Sequence, residues 1–219
     1  MTARKRLPGD GAKPMEGKDL EAWTRIQAGG ETMATSFRAG DAAGFVEGMK
    51  ALRETTLDPK VILNSLHMPP DGGEYTEGLI QILRRIPDGW GRWISCGPGW
   101  YPMLVELDQS LAAIQPDYVV HQVKEKYGQL RYYFASIGSR SQEKRMTALV
   151  DAAEERSVTI CEVCGNPGRI CVCNRWYRTV CPACAEILGY SSIGTSEGPV
   201  DEGRPPSSQD RGEEDGDAG

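Results

Sequence analysis

Cys161-Glu162-Val163-Cys164-Gly165 and Cys181-Pro182-Ala183-Cys184 are two C-x-x-C pairs separated by sixteen residues, and their reading decides how the C-terminal end folds. A two-residue gap lets both sulfurs of a pair converge on one ion, and pairs at this separation belong to the spacing class of tetrahedral thiolate sites. Gly165 can supply the positive-φ turn that aims backbone amides at sulfur. The reading is a zinc-ribbon-like module over residues 159–188, with one structural Zn2+ held by Cys161, Cys164, Cys181 and Cys184. Cys171 and Cys173 add two thiols to the intervening loop and stand as alternate ligands. The outer four are favoured because both pairs have the same spacing. Iron in a rubredoxin-like site is the alternative metal.

Catalytic metal chemistry fits these residues less well. A zinc deaminase needs His-x-Glu with Pro-Cys-x-x-Cys, but here the proline follows Cys181, and His121 and Glu125 have the wrong gap. A hydrolytic site needs an open coordination position, which four thiolates close. A thiol redox protein could use one C-x-x-C pair. An enzyme of another kind would draw on Cys96, Asp88, His67 or Glu74, near the stretch Gly89-Trp90-Gly91-Arg92-Trp93 and Cys96-Gly97-Pro98-Gly99-Trp100. None of these has a base, nucleophile or phosphate loop at mechanistic spacing.

Working outward from the cysteines, Ser141 to Arg156 reads as a helix, with Met146, Leu149, Val150 and Ala153 on one stripe. Two strands precede it, Tyr118 to Lys126 and Gln129 to Ala135, joined by Tyr127-Gly128 in a tight turn. With Lys126 opposite Gln129, strict alternation puts Val119, His121, Val123, Leu130, Tyr132 and Phe134 on the core face. Tyr118, Gln122, Lys124, Lys126, Arg131 and Tyr133 then lie on the other face, with Lys124 across from Arg131. Like charges so placed are destabilising by up to about 1 kcal/mol, which calls for a compensating contact. Tyr101 to Ile114 has helical spacing with Pro102 in its first turn. The Gly/Trp stretch before it reads as the boundary between two regions. Upstream, helices are expected over 19–30, 41–55 and 76–86, while 61–66 fits a strand or a helical turn equally well.

The ends of the chain are poor in apolar residues, so 1–18 and 194–219 are expected to be disordered. The formal charge of −6 lies entirely in the tail, because residues 197–219 contain eight acids and two arginines. The remaining chain is therefore neutral, and net charge argues neither for nor against nucleic acid. No apolar run reaches the length of about 20 residues that spans a bilayer, and a reducing compartment suits closely paired thiols.

Gly99-Trp100-Tyr101-Pro102, the run from Gln122 to Tyr133 and the Cys161/Cys181 pairs occur in an order similar to that of a group of uncharacterised bacteriophage and bacterial proteins. These share a Gly-Trp helix, a Val-Lys-Glu-Lys hairpin and a terminal cysteine module, and the resemblance covers residues 96–187. It implies an α+β unit with a zinc ribbon, in the cytoplasm of a bacterium or a phage-infected host, and carries no activity. Cys171-Val-Cys173 departs from the pattern.

The expected architecture is α+β: a helical region over 19–88, an α+β region over 89–158, the metal module over 159–188 and an acidic tail over 194–219. The expected function is zinc-stabilised, non-catalytic binding of nucleic acid or a protein partner, with no membrane. The surface would comprise Lys124, Lys126, Arg131, Tyr133, Arg169, Arg175, Trp176 and Arg178, where basic groups meet phosphate and aromatics stack.

Overall fold

A computed structural model describes residues 6–193, and its fold is mixed α+β, with seven helices and two small sheets among the described residues. The expected tail over 194–219 and residues 1–5 lie outside the described residues.

The main sheet has the order β1-β2-β3-β4, formed by β1 (Leu66–His67), β2 (Arg92–Ser95), β3 (Val119–Lys126) and β4 (Gln129–Ala135). β1, β2 and β3 are parallel, and β4 returns antiparallel to β3 through the expected Tyr127-Gly128 turn. The helix α5 (Tyr101–Ile114) connects β2 to β3, a βαβ crossover that the sequence reading did not contain. α5 packs between α4 (Thr76–Arg84) and α6 (Arg140–Ser157). Leu79, Ile82 and Leu83 of α4, Leu104 and Leu111 of α5, and Met146 and Val150 of α6 form one core with the sheet. The Gly/Trp stretch does not divide that core: Trp100 is fully buried in it, and Arg92 to Ser95 form a central strand.

Strict alternation fails along β3. The register shifts between Val120 and Gln122, making His121 an extra residue in a β-bulge. Tyr118, Val120 and Val123 are the buried residues, so Tyr118 belongs to the core face and Val119 and His121 do not. His121 stacks on Trp90 with ring centroids 4.4 Å apart. The bulge leaves the later register as expected, with Lys124 opposite Arg131. Their repulsion is offset, since Arg131 pairs with Glu154 at 3.3 Å and the Lys124 ammonium lies over the Tyr133 ring.

Burying Tyr118 places its hydroxyl 2.6 Å from Asp108, which also accepts a 2.5 Å bond from Arg85. The Tyr132 hydroxyl lies 2.9 Å from that of Tyr118, and the Arg85 guanidinium sits over the Tyr118 ring. Arg85 and Asp108 are both buried, and this network pins α4, α5 and the hairpin together. Burial pushes both phenols well above the ordinary tyrosine range.

The N-terminal part departs from expectation in two ways. Residues 6–18 are not a loose end: Leu7 and Met15 are buried, Pro14 bridges to Leu66, and the Gly9 amide bonds to the Arg84 carbonyl at 2.7 Å. Two apolar anchors and a few backbone bonds seat a segment whose composition is otherwise that of a linker. α1 (Gly17–Ala39) also runs well past residue 30, because Gly29-Gly30 does not end it. Gly29 instead meets Gly48 of α2 (Ala42–Glu54), where a side chain on either would crowd the facing helix backbone. Gly40, at φ 69°, makes the actual stop, and Asp41 caps α2. The undecided 61–66 segment holds the end of α3 (Pro59–Asn64) and the start of β1.

After α6, a three-stranded sheet of order β6-β5-β7 is formed by β5 (Arg169–Cys173), β6 (Trp176–Val180) and β7 (Ser191–Ser192), with α7 (Pro182–Leu188) between β6 and β7. Among the described residues no helix is long and apolar enough to cross a membrane.

Candidate metal centre and the adjoining cleft

Cys161 leaves an isolated bridge between Ile160 and Pro167, and Gly165, at φ 77°, closes the turn by donating its amide to the Cys161 carbonyl at 2.8 Å. Cys181 caps α7 and accepts the Cys184 amide, which brings the second pair around to the first. The four sulfurs lie within 4.8 Å of one another, and Cys164 is 3.6 Å from both Cys181 and Cys184. Zinc–thiolate bonds of about 2.3 Å in a tetrahedron require sulfurs about 3.8 Å apart. All seven cysteines are free thiols, and the donor set and its spacing fit a metal ion.

The four thiols do not share one electrostatic environment. Burial pushes the Cys161 thiol up, but the amides of Cys181, Cys164 and Val163 outweigh it and bring the pKa to about 7. Cys184 is pushed up to about 12, chiefly by its hydrogen bond to Cys181. Thiolates this close repel one another and require a cation. Neither Cys171 nor Cys173 joins the cluster: Cys171 is buried in the module's own core beside Val180, and Cys173 opens onto a cleft.

The Gly/Trp motif holds this module to the main core. Gly97 donates its amide to the Glu162 side chain and Gly99 to the Glu162 carbonyl, both at 2.8 Å. The Trp100 indole donates to the Ile160 carbonyl at 2.8 Å. A Cβ on Gly99 would overlap the Cys161 carbonyl oxygen and the Gly165 amide, so only glycine allows this approach. The hairpin tip makes a second attachment, with Thr179 donating its hydroxyl to the Gly128 carbonyl.

A cleft of about 700 Å³ lies between the sheet and the module. Asp71, Cys96, Glu125, Glu162, Arg178 and Tyr190 line it. Arg178 donates to Glu162 at 2.6 Å, Tyr101 donates its hydroxyl to Asp71 at 3.0 Å, and Glu125 accepts the Gly128 amide. Desolvation by burial, followed by the charges of Glu162, Glu125 and Asp71, holds the Cys96 thiol far above its ordinary range. That environment disfavours the thiolate, the form in which a cysteine acts as a nucleophile.

The register puts Lys124, Lys126, Arg131 and Tyr133 of the expected surface on one face of the hairpin, while Arg169, Arg175, Trp176 and Arg178 belong to the β5–β6 ladder. Arg131 and Arg178 are committed to Glu154 and Glu162, and Arg169 donates to Ser192 at 2.7 Å. Lys124 and Lys126 lie over Tyr133 and Tyr127. Arg175 sits in the turn at φ 67° beside Trp176, which is 73 % exposed, at the opposite end of the β5–β6 ladder from Arg169. The residues considered for catalysis are scattered. Asp88 pairs with Arg92, His67 lies between Trp23 and Trp93 with Nε2 bonded to the Ile62 carbonyl, and Glu74 is on the surface. Of these, Cys96 alone lines the cleft.

Asp71, Glu125, Glu162 and Tyr190 were not singled out from sequence as a site. A usable signal would have been the parallel β2–β3 pair, because ligands of open α/β sheets gather at the carboxyl ends of such strands. No protein-family model, no curated protein and no solved structure matches this chain.

Proposed function

We propose that the chain is a zinc-stabilised, non-catalytic protein-binding module that works in the cytoplasm of a bacterium or a phage-infected host. Cys161, Cys164, Cys181 and Cys184 hold the ion, which supplies structural stability to a ribbon-like unit and does no chemistry on a substrate. The observation that carries the reading is the exposed apolar surface of that unit. Trp176, Ile187 and Leu188 are exposed there, on a small rigid platform clasped to the core by Gly97, Gly99 and Trp100. Exposed large apolar groups grouped on one small unit mark association surfaces.

A protein partner is favoured over nucleic acid because half of the basic residues of the expected surface already have partners. Arg131 and Arg178 are in ion pairs and Arg169 donates to Ser192, which leaves Lys124, Lys126 and Arg175 of that surface to meet phosphates.

The test uses the full chain, immobilised, with and without Ile187→Ser. Retention of a partner from bacterial extract should persist at about 500 mM salt and fall with the substitution, as an apolar contact requires. Labelled single-stranded and duplex oligonucleotides should show no comparable binding. Oligonucleotide binding that weakens by orders of magnitude between about 50 and 200 mM salt would overturn the reading in favour of nucleic acid.

A further inference from the structure

The cleft beside the metal module is lined by more acidic than basic side chains, with Asp71 on its exposed side. Glu125 enters it from the carboxyl end of β3, Ser95 and Cys96 from that of β2, and Asp71 from the loop before α4. Glu162 and Arg178 arrive from the module already joined, and the second oxygen of Glu162 is held by the Gly97 amide. That pair is complete. Asp71 and Glu125 are different, because neither has a cation within ion-pair distance among the described residues. Each accepts one neutral donor, the Tyr101 hydroxyl and the Gly128 amide. Arg38, exposed at the rim, pairs with neither.

The walls add a second feature. Trp176, Tyr177 and Tyr190 line the same cleft as Asp71 and Glu125, and so does Arg178, whose charge acts on Glu125 although it is bonded to Glu162. Carboxylates and aromatic rings together recognise organic cations, the first by charge-assisted hydrogen bonds and the second by cation–π attraction. Between the two common protein cations, guanidinium suits this lining better. It is planar, stacks on aromatic rings and presents several donors at once, whereas ammonium is a compact point charge with a tighter hydration shell.

The geometry points to this cleft as the seat of an arginine side chain carried by an extended segment of the partner protein. The guanidinium lies between Asp71 and Glu125 and against the aromatic wall, and the flanking residues of the segment run out over Leu188 at the rim. This inference rests on the protein-binding reading and names what the partner must present. Burial holds the Glu125 carboxyl above its ordinary range, so an arriving cation relieves a cost the free protein carries.

The probe is a fluorescein-labelled octapeptide, Gly-Ser-Gly-Arg-Leu-Gly-Ser-Gly, with a second peptide in which citrulline, its neutral isostere, replaces arginine. Binding to the full zinc-loaded chain is followed by anisotropy. The arginine peptide should bind at least about tenfold more tightly than the citrulline peptide. Asp71→Asn and Glu125→Gln keep the acceptor oxygens that Tyr101 and Gly128 use, and each should remove most of that difference. Equal binding of the two peptides, no binding of either, or an unchanged preference in the double variant would overturn the inference. If wild type ignores both peptides yet retains a partner through the Ile187 surface, the inference fails and the protein-binding reading stands. Salt-steep oligonucleotide binding is the result that removes the reading itself.

Discussion

Two groups of charged and phenolic side chains in this protein are built from similar parts and end in opposite states. In the core, Asp108 accepts from both Arg85 and Tyr118, and Arg85 also reaches the Pro116 carbonyl. Each charge there has its opposite, and no room is left for a ligand. In the cleft of about 700 Å³, Glu162 and Arg178 are paired, but Asp71 and Glu125 have no cation within ion-pair distance among the described residues. A closed network contributes specificity to the fold, whereas an open one holds unspent interaction energy that a ligand can use. The comparison separates residues that position the site from residues that serve it.

The largest expected effect comes from breaking the closed group. Asp108→Ala strands a buried guanidinium, and denaturant unfolding should show a loss of about 3–5 kcal/mol. Gly99→Ala tests the clasp that sets the cleft beside the core. Its Cβ would collide with the Cys161 and Gly165 backbone, which cannot rotate aside. Unfolding should show a loss of about 1–3 kcal/mol, the usual range for overpacking, and any metal held by the four cysteines should pass to a chelator faster than from wild type.

The smallest effect has the opposite sign and belongs to the open group. Burial raises the Glu125 pKa above 4.5, so its ionised form costs the folded state. That cost is absent below the ordinary pKa, where the carboxyl is protonated in both states, and it is complete once the pH exceeds the raised value. Glu125→Gln should therefore raise Tm at pH 7 and leave it unchanged at pH 4. A variant that stabilises the protein while weakening arginine binding would mark Glu125 as a functional residue. Loss of stability at pH 7 would place it with Asp108 as part of the fold.

Much of the framework is legible in the sequence where periodicity and capping coincide. α5 starts and stops at Tyr101 and Ile114 as expected, and Ser139 with Gln142 forms a capping box at the start of α6. The hairpin turn falls at Tyr127-Gly128 because Gly128 accepts its φ of 79°. The two C-x-x-C pairs also meet as their spacing requires.

What the sequence hides has local causes. One inserted residue at His121 reverses the faces of β3 upstream of it, and no periodicity announces a bulge. Gly29 looks like a helix stop because its close contact, Gly48, lies in another helix. The four residues of β2 are too few to show a pattern and lie among glycines and tryptophans that resemble a linker. The cleft is the least legible feature, since Asp71, Glu125, Glu162 and Tyr190 come from segments that only the parallel sheet and the clasp bring together. Two arginines of the expected basic surface find carboxylates within the chain, Arg131 with Glu154 and Arg178 with Glu162, and sequence does not say which carboxylate each meets.

The most direct test of a metal-stabilised module is elemental analysis of freshly purified wild type, Cys161→Ser and Cys171→Ser protein in parallel. The account predicts one zinc per chain in wild type, the same in Cys171→Ser, and loss of the metal in Cys161→Ser. No metal in wild type, or equal loss in both variants, would contradict it.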